Sequence, residues 1–178
     1  RAVIFDWGGT LAEYALVEFE QLWLRAARHL APDRETEVAM HLAAVEAAFW
    51  ERTATHQRAG TLAQLLEEAT SILGGEVAEA VRAEAAAMYL DAWEPHIRHD
   101  PEAAPVLAAL RERGLRIGLL SNTHWPREYH EQFLERDGLV GDLPSERLIL
   151  VVPGQLKARA LGVQEVHIQT AFLTGGDA

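Results

Sequence analysis

The chain begins with Arg1-Ala-Val-Ile-Phe-Asp6-Trp-Gly-Gly-Thr-Leu11. Residues 2–5 form a short apolar run that predicts a buried β-strand. This strand ends on a single carboxylate, Asp6, and the glycines that follow, Gly8 and Gly9, let backbone amides approach a ligand closely. Because ligands of open α/β sheets bind at the carboxyl ends of the strands, the stretch predicts a site for an anionic group.

The next eighty residues have a different composition. From about residue 14 to residue 93 the chain is rich in Ala, Leu, Glu and Arg, and residues 16–26 repeat apolar side chains at helical spacing. We predict a helix there, a second over residues 34–50, a third that begins after Thr61 as its N-cap, and a fourth over residues 77–93. This region is expected to be all-helical.

Beyond Asp100 and Pro101 helices and strands alternate. The pattern predicts a helix over residues 102–113, with Gly114 as the left-handed residue at its C-terminus. It also predicts a strand over 115–120 and a helix from Pro126. Further strands are predicted over 148–152 and 166–173, with a short helix over 155–161 between them. Alternation of this kind favours right-handed crossovers and a parallel sheet. The predicted fold is therefore α/β, with a Rossmann-like parallel sheet core (residues 1–12 and 96–178) and an inserted helical cap (residues 13–95).

Composition restricts the partners of this protein. The 178 residues carry a formal net charge of −11 and include no cysteine. An acidic surface repels nucleic acid and anionic membranes, so we expect neither as a partner. No apolar run approaches the roughly 20 residues that cross a bilayer. We expect a cytoplasmic protein with a small anionic molecule as its substrate, and the sequence leaves the oligomeric state open.

Three further segments carry candidate functional residues. Ser121 and Asn122 follow the predicted strand over residues 115–120, so Ser121 falls at the carboxyl ends of the predicted parallel strands, as Asp6 does. Lys157 is the only lysine of the chain. Asp177 ends the segment Phe-Leu-Thr-Gly-Gly-Asp at residues 172–177. Together with Asp6, these residues resemble the motifs of the haloacid dehalogenase superfamily, in the subfamily with a helical cap. Between residues 141 and 177 the resemblance is poor.

The resemblance implies a hydrolase that works through an aspartyl nucleophile, Asp6. It implies that Thr10, Ser121 and Asn122 bind the substrate and that Lys157 screens the negative charge. It also implies a Mg²⁺ cofactor, with Asp6, the backbone carbonyl of Gly8 and Asp177 as ligands. The residues themselves leave two alternatives open. Lys157 lacks the proline that usually follows it in this family, so the pattern also fits a surface lysine. Asp177 stands one residue from the end of the sequence, so the pattern also fits an aspartate without a role.

One residue departs from the first motif, which is usually Asp-x-Asp-Gly-Thr-Leu. Gly8 stands where family phosphatases have the aspartate that protonates the leaving group, and loss of such an acid–base typically costs about 10²–10⁴-fold in rate. We expect action on a small phosphorylated metabolite with impaired or unusual acid–base chemistry, with His124 as a candidate base. The alternatives are an inactive binding or scaffold protein and a carbon–halogen hydrolase of the haloacid dehalogenase type.

Overall fold

The computed structural model describes residues 2–56, 60–73, 76–121, 123–140 and 150–151. Three parallel strands lie in the order β1 (Ala2–Phe5), β2 (Arg116–Leu120) and β3 (Leu150–Val151). This confirms the predicted α/β fold with a parallel sheet. Of the predicted strand over 148–152, residues 150 and 151 form β3; its other residues, the helix at 155–161 and the strand at 166–173 lie outside the described residues.

The chain divides into two compact units. The core unit comprises residues 1–14, 97–122 and 127–178, and the helical unit comprises residues 15–96 and 123–126. The sequence placed the changes of domain at residues 12/13 and 95/96. It did not predict that the four residues after Asn122 belong with the helices.

In the core unit, two helices accompany the described strands. Helix α5 (Ala103–Glu112) precedes β2 and α6 (Arg127–Arg136) follows it. Gly114 has φ +72°, the left-handed conformation that was predicted for a helix C-terminus. Ile117 and Leu119 of β2 are buried, as are Leu107 and Phe133 of the two helices. These apolar side chains fix the strand that leads to Ser121.

Four helices form the described part of the helical unit: α1 (Phe19–Leu30), α2 (Glu35–His56), α3 (Leu62–Thr70) and α4 (Glu79–Trp93). Thr61 caps α3 as predicted, because its hydroxyl accepts from the Gln64 backbone while the Gln64 side chain accepts from the Thr61 backbone. Helix α2 runs six residues beyond its predicted end, since no glycine or proline stands between residues 50 and 60 to stop it. Within the described ranges, no helix is long and apolar enough to cross a bilayer.

Candidate functional site

Asp6 lies immediately beyond the carboxyl end of β1, and its side chain is exposed. One carboxylate oxygen, Oδ1, accepts a hydrogen bond of 2.8 Å from the backbone N–H of Trp7. The chain then turns sharply, because the Trp7 carbonyl accepts from the N–H groups of Thr10, Leu11 and Ala12. Partial burial raises the pKa of Asp6 and outweighs the hydrogen bond from Trp7, which lowers it. The turn thus orients a carboxylate whose negative form is incompletely solvated.

Ser121 lies at the same edge of the sheet as Asp6. In the parallel register of β1 and β2, Phe5 pairs with Leu119. Asp6 is one residue beyond Phe5 and Ser121 is two residues beyond Leu119, so Ser121 lies about one residue further along the sheet than Asp6. Adjacent strands are about 4.8 Å apart, which brings the two segments side by side. Ser121 is buried and Thr10 is half-buried in the turn after Asp6. Asn122, Lys157 and Asp177 lie outside the described residues.

A half-buried hydrogen-bond chain begins at Trp7, directly after Asp6. The indole Nε1–H donates to His99 Nε2 at 2.9 Å, and His99 Nδ1 lies 2.6 Å from Asp137 Oδ2. Since an indole can only donate, His99 Nε2 must accept, and its proton therefore sits on Nδ1 and is donated to Asp137. Arg136 pairs with Asp137 at 2.7 Å and, with help from His99, lowers the pKa of Asp137 to about 2.

Backbone pairing explains why His99 reaches Trp7. The N–H of Glu13 donates to the Arg98 carbonyl and the N–H of Asp100 donates to the Leu11 carbonyl, each at 2.9 Å. These bonds place the segment after the turn antiparallel to residues 98–100, with His99 beside it. Sequence reasoning missed this contact, because 92 residues separate Trp7 from His99 and no local pattern links them.

The two glycines of the turn differ in what they require. Gly9 has φ +75°, and a Cβ atom built there would lie 2.6 Å from Cζ of Tyr14, so the Tyr14 ring occupies that space. A Cβ built at Gly8 would lie 3.7 Å from Cε1 of Tyr14, an ordinary van der Waals contact. The conformation of Gly9 therefore favours glycine, and a Cβ there would displace the Tyr14 ring, whereas a Cβ at Gly8 makes only an ordinary contact.

His124, the candidate base, lies in the helical unit and is buried. Its Nε2 atom lies 3.4 Å from the Tyr89 hydroxyl oxygen and 3.5 Å from Glu46 Oε1. The His124 carbonyl accepts from the Leu62 N–H at 2.8 Å, at the start of α3. These contacts give His124 a structural place among helices, which sequence reasoning did not foresee.

Carboxylate and carbonyl oxygens are the ligand types that Mg²⁺ prefers, and the Asp6 carboxylate and the Gly8 carbonyl are of that type. Among the described residues, no three His, Cys, Asp or Glu side chains come together as a metal-binding group. The described residues therefore supply the right kind of donor at Asp6 but not a complete ligand set, and Asp177 lies outside them.

Comparison with known proteins identifies the protein family that the sequence matches. The family model of the haloacid dehalogenase-like hydrolases matches residues 1–143. A search of curated proteins finds no match. Three similar solved structures are a dehalogenase with an intermediate complex, the L-2-haloacid dehalogenase of Xanthobacter autotrophicus, and a haloacid dehalogenase-like hydrolase of Xanthomonas campestris.

Their sequence identities to this chain are 23%, 22% and 18%, and their TM-scores are 0.42, 0.40 and 0.42. Each alignment covers 85% of this chain. It covers 62%, 55% and 61% of the respective solved chain. The chain therefore spans about three-fifths of the length of these solved proteins.

Proposed function

The chain belongs to the haloacid dehalogenase-like hydrolase family, and we propose that it hydrolyses a small phosphorylated metabolite with Asp6 as its nucleophile. The placement of the Asp6 carboxylate carries this proposal. It is exposed at the carboxyl end of a parallel strand, and one of its oxygens is oriented by the Trp7 N–H. In the described part of the chain, the other oxygen, Oδ2, has no hydrogen-bond partner, so it is available to attack.

The proposed chemistry has two steps. Oδ2 of Asp6 attacks phosphorus, the bond from phosphorus to the leaving oxygen breaks, and an aspartyl phosphate forms. Water then attacks the phosphorus of this intermediate and releases phosphate and the free carboxylate. We assign Thr10, Ser121 and Asn122 to binding of the phosphate oxygens and Lys157 to screening of charge.

We further propose Mg²⁺ as the cofactor, with Asp6, the Gly8 carbonyl and Asp177 as ligands; when bound, it would neutralise phosphate charge. In this proposal the helical unit serves as the cap that selects the substrate.

The test is turnover of 4-nitrophenyl phosphate with and without Mg²⁺. We expect phosphate release by the unmodified protein and a loss of roughly 10³-fold or more in Asp6→Asn, because the amide is a poor nucleophile. Thermal unfolding of Asp6→Asn serves as the control for folding. Equal rates for the two proteins would refute the proposal, and tight phosphate binding without turnover would identify a binding protein instead.

A second candidate function is hydrolysis of a carbon–halogen bond. Gly8 favours it, because a halide ion leaves without being protonated and the reaction needs no acid at that position. The carboxylate of Asp6 would displace the halide from carbon and form an ester that water cleaves. Chloride release from 2-chloropropionate, with no phosphate release from phosphomonoesters, would select this function over the first.

A further inference from the structure

Tyr14 covers the glycine pair that follows the nucleophile. Its ring lies where a Cβ of Gly9 would be, with the hydroxyl oxygen 2.9 Å from that position, and its Cε1 lies 3.7 Å from the position of a Gly8 Cβ. A side chain at residue 8 would therefore project toward this ring. Tyr14 is nevertheless 78% exposed, so its phenol is open to solvent beside the turn.

The proposed reaction needs a proton at this place. An alkoxide is a poor leaving group, and a positioned acid that protonates it contributes about 10²–10⁴-fold in rate. Residue 8 is glycine and supplies no such group. The Trp7 indole N–H is already donated to His99. The Tyr14 phenol is a hydroxyl donor that packs against this turn, and phenols act as general acids in enzymes.

We propose that the Tyr14 hydroxyl is the general acid of this site, an assignment that rests on the proposed phosphoryl transfer to Asp6. As the bond between Asp6 Oδ2 and phosphorus forms and the bond from phosphorus to the leaving oxygen breaks, the phenolic proton moves to that oxygen. The resulting phenolate then takes a proton from the water that attacks the aspartyl phosphate, which restores the phenol.

This assignment explains why two glycines follow Trp7. Any residue with a Cβ at position 9 would displace the ring, and its φ of +75° favours glycine in addition. The Tyr14 ring thus packs in the space that the missing Cβ of Gly9 leaves. In this assignment residue 8 needs no acidic side chain, because the proton comes from Tyr14.

The experiment compares leaving groups in Tyr14→Phe, which keeps the ring and removes only the hydroxyl. We measure the first-turnover release of alcohol from ethyl phosphate and of nitrophenolate from 4-nitrophenyl phosphate, since nitrophenolate leaves without a proton. Ethyl phosphate cleavage should fall about 10²–10⁴-fold, whereas nitrophenolate release should change less than about fivefold. Leu16→Ala is the matched control, because Leu16 is fully exposed and follows Tyr14 by two residues in the sequence. This change should alter neither rate.

A second variant tests whether proton donation is the lost function. Because a Cβ at residue 8 makes only an ordinary contact and an aspartate there supplies a proton donor, Gly8→Asp combined with Tyr14→Phe should restore ethyl phosphate cleavage to within about tenfold of the unmodified rate. Equal losses with both substrates, or no loss with ethyl phosphate, would overturn the assignment while leaving Asp6 as the nucleophile. Absence of any Asp6-dependent release by the unmodified protein would overturn both.

Discussion

Replacing Glu46 with alanine will destabilise the helical unit by about 2–6 kcal/mol. Glu46 lies on α2 and is only 2% exposed. Its carboxylate accepts hydrogen bonds of 2.7 Å from the Trp23 indole and 2.6 Å from the Tyr89 hydroxyl, both of which are fully buried. Alanine would remove the carboxylate that accepts from these two buried donors, at about 1–3 kcal/mol each. That sum is a large part of the 5–15 kcal/mol that keeps a typical domain folded.

Replacing Glu46 with glutamine separates the contribution of its hydrogen bonds to stability from the contribution of its charge. Burial raises the pKa of Glu46 and outweighs the bonds from Tyr89, Trp23 and Trp50, which lower it. A raised pKa means that the contribution of Glu46 to stability is complete below its ordinary value of 4.5 and is lost as pH rises through the folded value. Glu46→Gln cannot ionise, so its deficit relative to the unmodified protein should shrink as pH rises.

Urea unfolding, followed by tryptophan fluorescence at several pH values, measures both effects. Glu67→Ala, at an exposed position of α3, is the control and should change the free energy of unfolding by no more than about 0.5 kcal/mol. A loss below about 1 kcal/mol in Glu46→Ala would show that the two donors are not buried against the carboxylate. A Glu46→Gln deficit that grows with pH would refute the direction of the pKa shift.

Burial raises the pKa of Asp6, and in the proposed reaction Asp6 attacks as the anion, so kcat/KM for phosphomonoesters should fall as pH drops through a value above 3.8; a pH–rate profile with its lower midpoint at or below 3.8 would contradict this. His99→Phe removes the acceptor of the Trp7 indole and the donor to Asp137, so unfolding in urea should show a loss of about 1–3 kcal/mol, and a loss under about 0.5 kcal/mol would count against the half-buried chain. The pKa of Asp137 is lowered to about 2, so its stabilising contribution is present above 3.8 and disappears as pH falls toward 2; Asp137→Asn should flatten the stability curve in that window, and an unchanged curve would argue against the pair with Arg136. Gly9→Ala should lower the melting temperature clearly more than Gly8→Ala, because only Gly9 has a positive φ and a ring in the place of its Cβ; equal effects would count against the position of Tyr14.

Much of the fold follows from local sequence. The apolar run before Asp6, the capped start of α3 at Thr61 and the left-handed Gly114 depend on neighbours within a few residues, and each was predicted. The shared edge of Asp6 and Ser121 was also predicted, since parallel strands direct their carboxyl ends to the same side. The length of α2 was underestimated, because a helix continues through residues of high helix propensity until a glycine, a proline or a tertiary contact ends it.

The long-range contacts of the two units depend on tertiary structure. His99 meets Trp7 across 92 residues and Asp137 across a further 38, and Glu46 meets Tyr89 across 43. Such partners are selected by how helices and strands pack, and packing leaves no periodic mark in the sequence. Local periodicity thus determined which segments form strands and helices and where the acid stands. Packing decided which side chains meet Trp7, the residue after that acid, and that the Tyr14 ring occupies the place of a Gly9 side chain.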